Sequence, residues 1–240
     1  MQRYNGFVNT KAILFDWVDT LAQIVPDWSE IWLGTLSEAG IELTRKDIVR
    51  GIRSAELQIP EGRPMKWEDS AEEDIFVRYM QIILEEAGAV VPGRKVILSI
   101  ISKIYKLFSK CTYELFDDVI PVINKLKTHN TILGVISNMH GGLQAVCNQL
   151  KLAPYLDFTL TSGEAGANKP EPAIFLEAIK RSGISASQTI YVGDQYEIDI
   201  LGAEKVGLNP VLIDRCNRYS DFDKCPVIHS LYDLEALISN

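Results

Sequence analysis

Two kinds of hydrophobic pattern alternate along the chain. Short, almost continuously apolar runs rich in β-branched residues fall at 12–15, 132–136, 158–161, 189–192 and 210–213. Runs of this length and composition suit strands covered on both faces, as in a parallel sheet. Helical periodicity separates the later runs. At 171–182, Ile174, Phe175, Ala178 and Ile179 fall on one face and Gly183 stops the helix; 198–206 stops at Gly207 in the same way. This strand–helix alternation predicts an α/β fold, a doubly wound Rossmann-like parallel sheet.

The stretch between the first and second runs is too long for a single crossover. It carries helical signals instead. Trp28, Ile31, Trp32 and Leu36 recur at helical spacing. Thr44-Arg-Lys-Asp47 resembles a capping box ahead of Ile48, Val49 and Ile52. Ser70-Ala-Glu-Glu73 is a second one, followed by Ile75, Phe76, Tyr79, Met80, Ile82 and Ile83, with Gly88 as a stop. A further apolar-faced helix is expected at 96–108. The pattern predicts an all-helical insertion, the domain 23–112, inside an α/β core made of 1–22 and 113–240.

Composition narrows the picture. Hydrophobic residues make up 47% and charged residues 23%, which excludes a disordered chain. Net charge is −8, from 24 basic and 32 acidic residues, which excludes a broad basic footprint for nucleic acid. Cys111, Cys147, Cys216 and Cys225 show no CxxC spacing and read as free thiols of a reducing, cytoplasmic compartment. His129, His140 and His229 form no HxxxH or HExxH pattern, so no zinc site is expected. Neither an export signal nor a membrane span is expected, because no apolar run approaches roughly 18 residues.

In open α/β sheets, ligands bind beyond the carboxyl ends of the strands. The first run is followed by Asp16-Trp17-Val18-Asp19-Thr20, the second by Ser137-Asn138, and the fourth by Gly193-Asp194-Gln195-Tyr196-Glu197-Ile198-Asp199; Asn168-Lys169-Pro170 precedes the helix between the third and fourth. A hydroxyl, an amine and several carboxylates would thus converge at one edge. A carboxylate can attack phosphorus to form an aspartyl phosphate. Mg²⁺ can remove the charge repulsion, while a hydroxyl and an ammonium hold the remaining phosphoryl oxygens.

These ordered motifs, together with the helical insertion after the first, resemble the haloacid dehalogenase superfamily of aspartyl-nucleophile hydrolases over nearly the whole chain. The resemblance implies that Asp16 is the nucleophile, with Thr20 as its supporting hydroxyl. It implies phosphate binding by Ser137, Asn138 and Lys169. It implies Mg²⁺ held by Asp16, the main-chain carbonyl of Val18 and Asp194, with Asp199 as an outer carboxylate. The implied substrate is a small phosphorylated or otherwise anionic metabolite. No nucleic-acid or membrane partner is implied, and the protein is expected as a monomer or homodimer.

One departure matters. Most phosphatases of the superfamily have a second Asp where this chain has Val18, and that Asp protonates the leaving group and then activates water. Asp19 is one position out of register, so its side chain is expected to point elsewhere. Loss of the acid costs on the order of 10²–10⁴ in rate for poor leaving groups. Three readings stay open: a Mg²⁺-dependent phosphatase that is slow, selective for good leaving groups, or supplied with an acid by the helical insertion or the substrate; a 2-haloacid dehalogenase or phosphonatase-like hydrolase acting at carbon, with Lys66 as the candidate Schiff base of the latter; and a catalytically weak ligand- or protein-binding member. The dehalogenase branch needs no Mg²⁺ and leaves Asp194 and Asp199 unexplained. Trp28, Trp32, Arg53, Arg63, Lys66 and Trp67 are candidates for lining the substrate space, although Trp28 and Trp32 also suit the core of the insertion.

Overall fold

The computed structural model describes residues 7, 9–59, 73–219 and 222–238. In chain order the elements are β1 (Ala12–Phe15), β2 (Ala22–Val25), α1 (Trp28–Glu38), α2 (Arg45–Gln58), α3 (Glu73–Ala87), α4 (Arg94–Phe108), β3 (Thr112–Leu115), α5 (Val119–Thr128), β4 (Ile132–Ser137), α6 (Leu143–Gln149), β5 (Phe158–Thr161), α7 (Ser162–Ala165), α8 (Pro172–Ser182), β6 (Thr189–Gly193), α9 (Leu201–Glu204), β7 (Asn209–Ile213), β8 (Val227–Ile228) and α10 (Leu234–Ile238). The chain divides into one unit of Met1–Gln23 with Tyr113–Asn240 and another of Ile24–Thr112. Both crossings between them fall in β2 and β3, which pair as a two-stranded sheet.

The first unit is the expected α/β fold. Its six strands lie in the order β5-β4-β1-β6-β7-β8, and every neighbouring pair is parallel. All five predicted runs are strands of this sheet. The sixth, β8, has two residues, too few for an alternation to register. Because side chains alternate across a strand, Ile13 and Phe15 enter one apolar layer with Val135, Val192 and Val211, while Leu14 enters another with Leu160, Phe175 and Tyr191. In α8, Ile174, Phe175 and Ala178 are fully buried, as the periodicity predicts.

The helix expected at 198–206 is shorter. A π-helical turn at Tyr196–Ile200 precedes α9. The wider turn places Asp199 beneath the end of β6, where its carboxylate accepts from the Gln195 N–H at 3.1 Å.

In the second unit, α1–α4 bury their apolar faces in one cluster that includes Trp32, Leu36, Ile48, Ile52, Met80, Ile83, Ile97 and Ile101. The Thr44 capping box is present: Thr44 accepts from the Asp47 N–H and Asp47 returns a bond to the Thr44 N–H. The Ser70–Glu73 box begins outside the described residues. Helices α2 and α3 meet closely at Gly51, where a Cβ would stand 2.3 Å from the Ile83 carbonyl oxygen.

Candidate active site

Strand β1 lies mid-sheet, with Phe15 in register with Val135 of β4 and Val192 of β6. Asp16 continues that ladder by donating its N–H to the Val192 carbonyl at 2.8 Å. Parallel pairing therefore brings Asp16, Ser137 at the end of β4 and Asp194 just past β6 to the same sheet edge. Strand order changes direction here, β4 and β5 lying on one side of β1 and β6 to β8 on the other.

Lys169 is the hub of the site. Its ammonium group donates to Asp16 Oδ1, to Asp199 Oδ1 at 2.6 Å and to the Tyr191 hydroxyl at 3.1 Å. Its side chain is only 3% exposed. Such a buried amine is tolerable because two carboxylates surround it. Burial alone would lower its pKa, but Asp16 and Asp199 raise it above the ordinary lysine value, so it stays charged. The backbone of Lys169 is fixed by Asn138, whose side chain accepts from the Lys169 N–H at 2.7 Å and donates to its carbonyl at 3.0 Å. Both ends of the Asn138 amide are thus engaged in holding Lys169.

Asp199 is the most committed of the carboxylates. Oδ1 accepts from Lys169 and, at 2.8 Å, from Tyr191, while Oδ2 accepts from Gln195. Its side chain occupies the space over Gly193, where an added Cβ would lie 2.5 Å from Asp199 Cβ and Cγ. The glycine before Asp194 is therefore a packing requirement.

Asp194 is 2% exposed. Its Oδ2 accepts from Arg218 Nη2 at 2.9 Å, whereas Oδ1 is buried with no hydrogen-bond partner among the described residues. Arg218 is held in turn by Asp214, which accepts from the N–H groups of Arg218 and Tyr219 at 2.8 Å each. Arg215 of the same segment donates to the Thr20 carbonyl and, through both terminal nitrogens, to Asp118. Tyr191, Arg215 and Arg218 were not among the sequence candidates. Tyr191 reads as an apolar strand residue, and the arginines lie past the last predicted strand, where no pattern singles them out.

Oxygens of Asp16, Asp194 and Asp199 lie within 4.8 Å of one another. This clustering fits a hard divalent cation, and the unpartnered Asp194 Oδ1 supplies a ligand atom without breaking an existing bond. The electrostatics agree. Burial pushes Asp16 up to about 6, with Lys169 opposing and Asp199 adding to the shift. Burial and the charges of Asp16, Asp19 and Asp199 raise Asp194 well above the ordinary carboxylate range, against the pull of Arg218. A positive charge placed here would favour the ionised forms of both.

The remaining candidates fall as follows. Ser137 is buried and accepts from the Met139 N–H at 3.2 Å. Thr20 is buried, and its hydroxyl makes no hydrogen bond among the described residues. Val18 is half-buried and bridges to Ala22. Asp19 adopts a left-handed backbone, φ 61°. Its charge nevertheless raises the pKa of both Asp194 and Arg218, so it shares the field of the site. In the second unit, Trp32 belongs to the helical core and Trp28 packs against it. Arg63, Lys66 and Trp67 lie outside the described residues.

Residues 10–207 match the model of the haloacid dehalogenase-like hydrolases. The chain belongs to this family. It is 25% identical over 232 residues to haloacid dehalogenase-like hydrolase domain-containing protein 3 of Danio rerio, covering 96% of each chain. The human protein of that name is 34% identical over 131 residues, 54% of this chain and 49% of that one, so that match spans about half its length. The glyceraldehyde 3-phosphate phosphatase of Methanopyrus kandleri is 26% identical over 89% of this chain and 87% of its own. Among solved structures, the hydrolase YfnB from Bacillus subtilis bound to magnesium shares the fold, with a TM-score of 0.64 at 19% identity, covering 97% of this chain and all of that one (100%).

Proposed function

We propose that this hydrolase is a Mg²⁺-dependent phosphatase acting on a small phosphorylated metabolite, with Asp16 as nucleophile. The observation that carries the reading is the buried Asp16–Lys169–Asp199 set beside Asp194, whose Oδ1 is left without a partner. Hydrolysis at carbon without a cation leaves the burial of a third carboxylate unaccounted for. The family relatives named as phosphatases support the same choice.

In this reading an Asp16 oxygen attacks phosphorus, the bond to the leaving oxygen breaks, and the electron pair departs with that oxygen. Water then attacks phosphorus of the aspartyl phosphate, releasing inorganic phosphate and restoring the carboxylate. Lys169 and Ser137 hold phosphoryl oxygens and oppose the developing charge. Asp199 and Tyr191 keep the Lys169 ammonium aimed at Asp16, and Asn138 fixes its backbone. Asp16, Asp194 and the Val18 carbonyl would hold Mg²⁺, which would offset the repulsion between carboxylate and phosphoryl group.

The test is release of phosphate from p-nitrophenyl phosphate and short sugar phosphates, and of halide from a 2-haloacid, each in Mg²⁺ and in chelator. Phosphate release that needs Mg²⁺ and is lost in Asp16→Asn is expected. Halide release in chelator would replace the phosphatase reading. Absence of any turnover would leave a binding protein.

A further inference from the structure

The three clustered carboxylates differ in how many oxygens they have left to give. Asp199 has both oxygens committed, Oδ1 to Lys169 and Tyr191 and Oδ2 to Gln195. Asp16 gives Oδ1 to Lys169. Asp194 gives Oδ2 to Arg218 and keeps Oδ1, buried and unpartnered. The protein thus offers single oxygens to a cation rather than paired ones.

That distinction separates the two common hard cations. Mg²⁺ takes a near-ideal octahedron and is satisfied by one or two single carboxylate oxygens with substrate and water. Ca²⁺ takes six to eight oxygens and readily accepts a carboxylate through both. We propose that Arg218 is a specificity-determining residue for the cation: by occupying Asp194 Oδ2, it confines Asp194 to one-oxygen ligation and so favours Mg²⁺ over Ca²⁺. This rests on the Mg²⁺ reading above and names the residue that enforces it.

Arg218 is built to hold this position. Its backbone N–H is fixed by the buried carboxylate of Asp214, and the next residue, Tyr219, accepts from the Tyr196 N–H at 3.3 Å, on the turn that carries Asp199. The segment Asp214–Tyr219 is thereby tied to both acidic positions that follow β6. The Arg218 side chain is 26% exposed and therefore mostly covered, so the replacement must keep its unbranched aliphatic stem.

The experiment is calorimetric titration of the full chain with Mg²⁺ and, separately, with Ca²⁺. Both ions carry the same charge, so the loss of the arginine's own charge largely cancels in the ratio of the two dissociation constants. Arg218→Met is expected to shift that ratio toward Ca²⁺ by about tenfold or more, because Asp194 regains its second oxygen. Arg218→Lys, which keeps a cationic donor, is expected to shift it less. If Arg218→Met does not fold, by circular dichroism, Arg218→Gln takes its place. A ratio unchanged, or moved toward Mg²⁺, overturns the proposal while leaving the Mg²⁺ reading intact. Asp194→Asn should weaken both ions. Wild-type protein that binds neither ion, or Asp194→Asn that binds both unchanged, overturns the cation reading and this proposal with it.

Discussion

At the scale of single residues, the consequences follow from which charges are buried and which are missing. Val18 stands where a proton donor is expected, so the leaving oxygen must depart unassisted in the proposed phosphatase. The rate should therefore fall steeply with leaving-group pKa, and aryl phosphates should outpace alkyl phosphates. Val18→Asp should flatten that slope, raising alkyl phosphate turnover by about 10²-fold if the new carboxylate reaches the oxygen. A flat slope already present in the wild type and abolished by Asp19→Asn would assign the acid role to Asp19, whose charge the site does feel. Asp16 sets a second expectation. Burial, partly opposed by Lys169, pushes it from 3.8 up to about 6 in the folded chain. A carboxyl group raised on folding stabilises most when protonated, and that contribution is lost as pH rises from about 4 through about 6. In chelator, Asp16→Asn should thus gain stability relative to wild type across this window and hold the gain above it. Denaturant midpoints at pH 4 and pH 7 measure the difference; a gain that shrinks as pH rises would contradict the assignment.

At the scale of elements, the ends of β1, β7 and α5 are joined by one ion pair. Arg215 reaches Asp118 with two bonds of 2.9 Å, covers the Phe116 ring at 3.9 Å and donates to the Thr20 carbonyl in the Asp16 loop. Asp118 also accepts from the Ser230 hydroxyl at 2.6 Å and the Leu231 N–H at 2.8 Å. Burial would raise the Asp118 pKa, yet these donors hold it below the ordinary value, so its contribution is present at neutral pH and lost on acidification. Breaking a buried pair by neutralising one partner leaves the other uncompensated. Asp118→Asn should cost about 3 kcal/mol in urea unfolding. A loss under about 1 kcal/mol would show that the pair behaves as an exposed one.

At the scale of the whole molecule, the cysteines report on integrity. Cys147 and Cys225 are buried, and burial pushes their thiols up to about 11 and about 12; Cys216 is exposed and Cys111 intermediate. A thiol reagent should label Cys216 first and Cys111 more slowly in the native protein. Cys147 and Cys225 should react only on unfolding. Early labelling of Cys147 would mean that the apolar layer containing it is open in solution. Among the described residues, no helix is long and apolar enough to cross a membrane.

The sequence by itself determined five of the six parallel strands of the α/β unit, the amphipathic faces of α1 to α4 and α8, and the Thr44 cap, because each depends on residues within a few positions. It also supplied Asp16, Lys169, Asp194 and Asp199, because ordered acidic and basic residues at strand ends form a pattern. What only the tertiary structure decided depends on approach between distant segments. The π-helical turn that brings Asp199 onto Lys169, the bonds that make Asn138 a brace for Lys169, and the contribution of Tyr191 all arise from packing at the sheet edge. Arg218 is the clearest case. Nothing near it in the sequence distinguishes it from a solvated arginine, and only the return of the chain past β7 sets its guanidinium against a carboxylate 24 residues earlier.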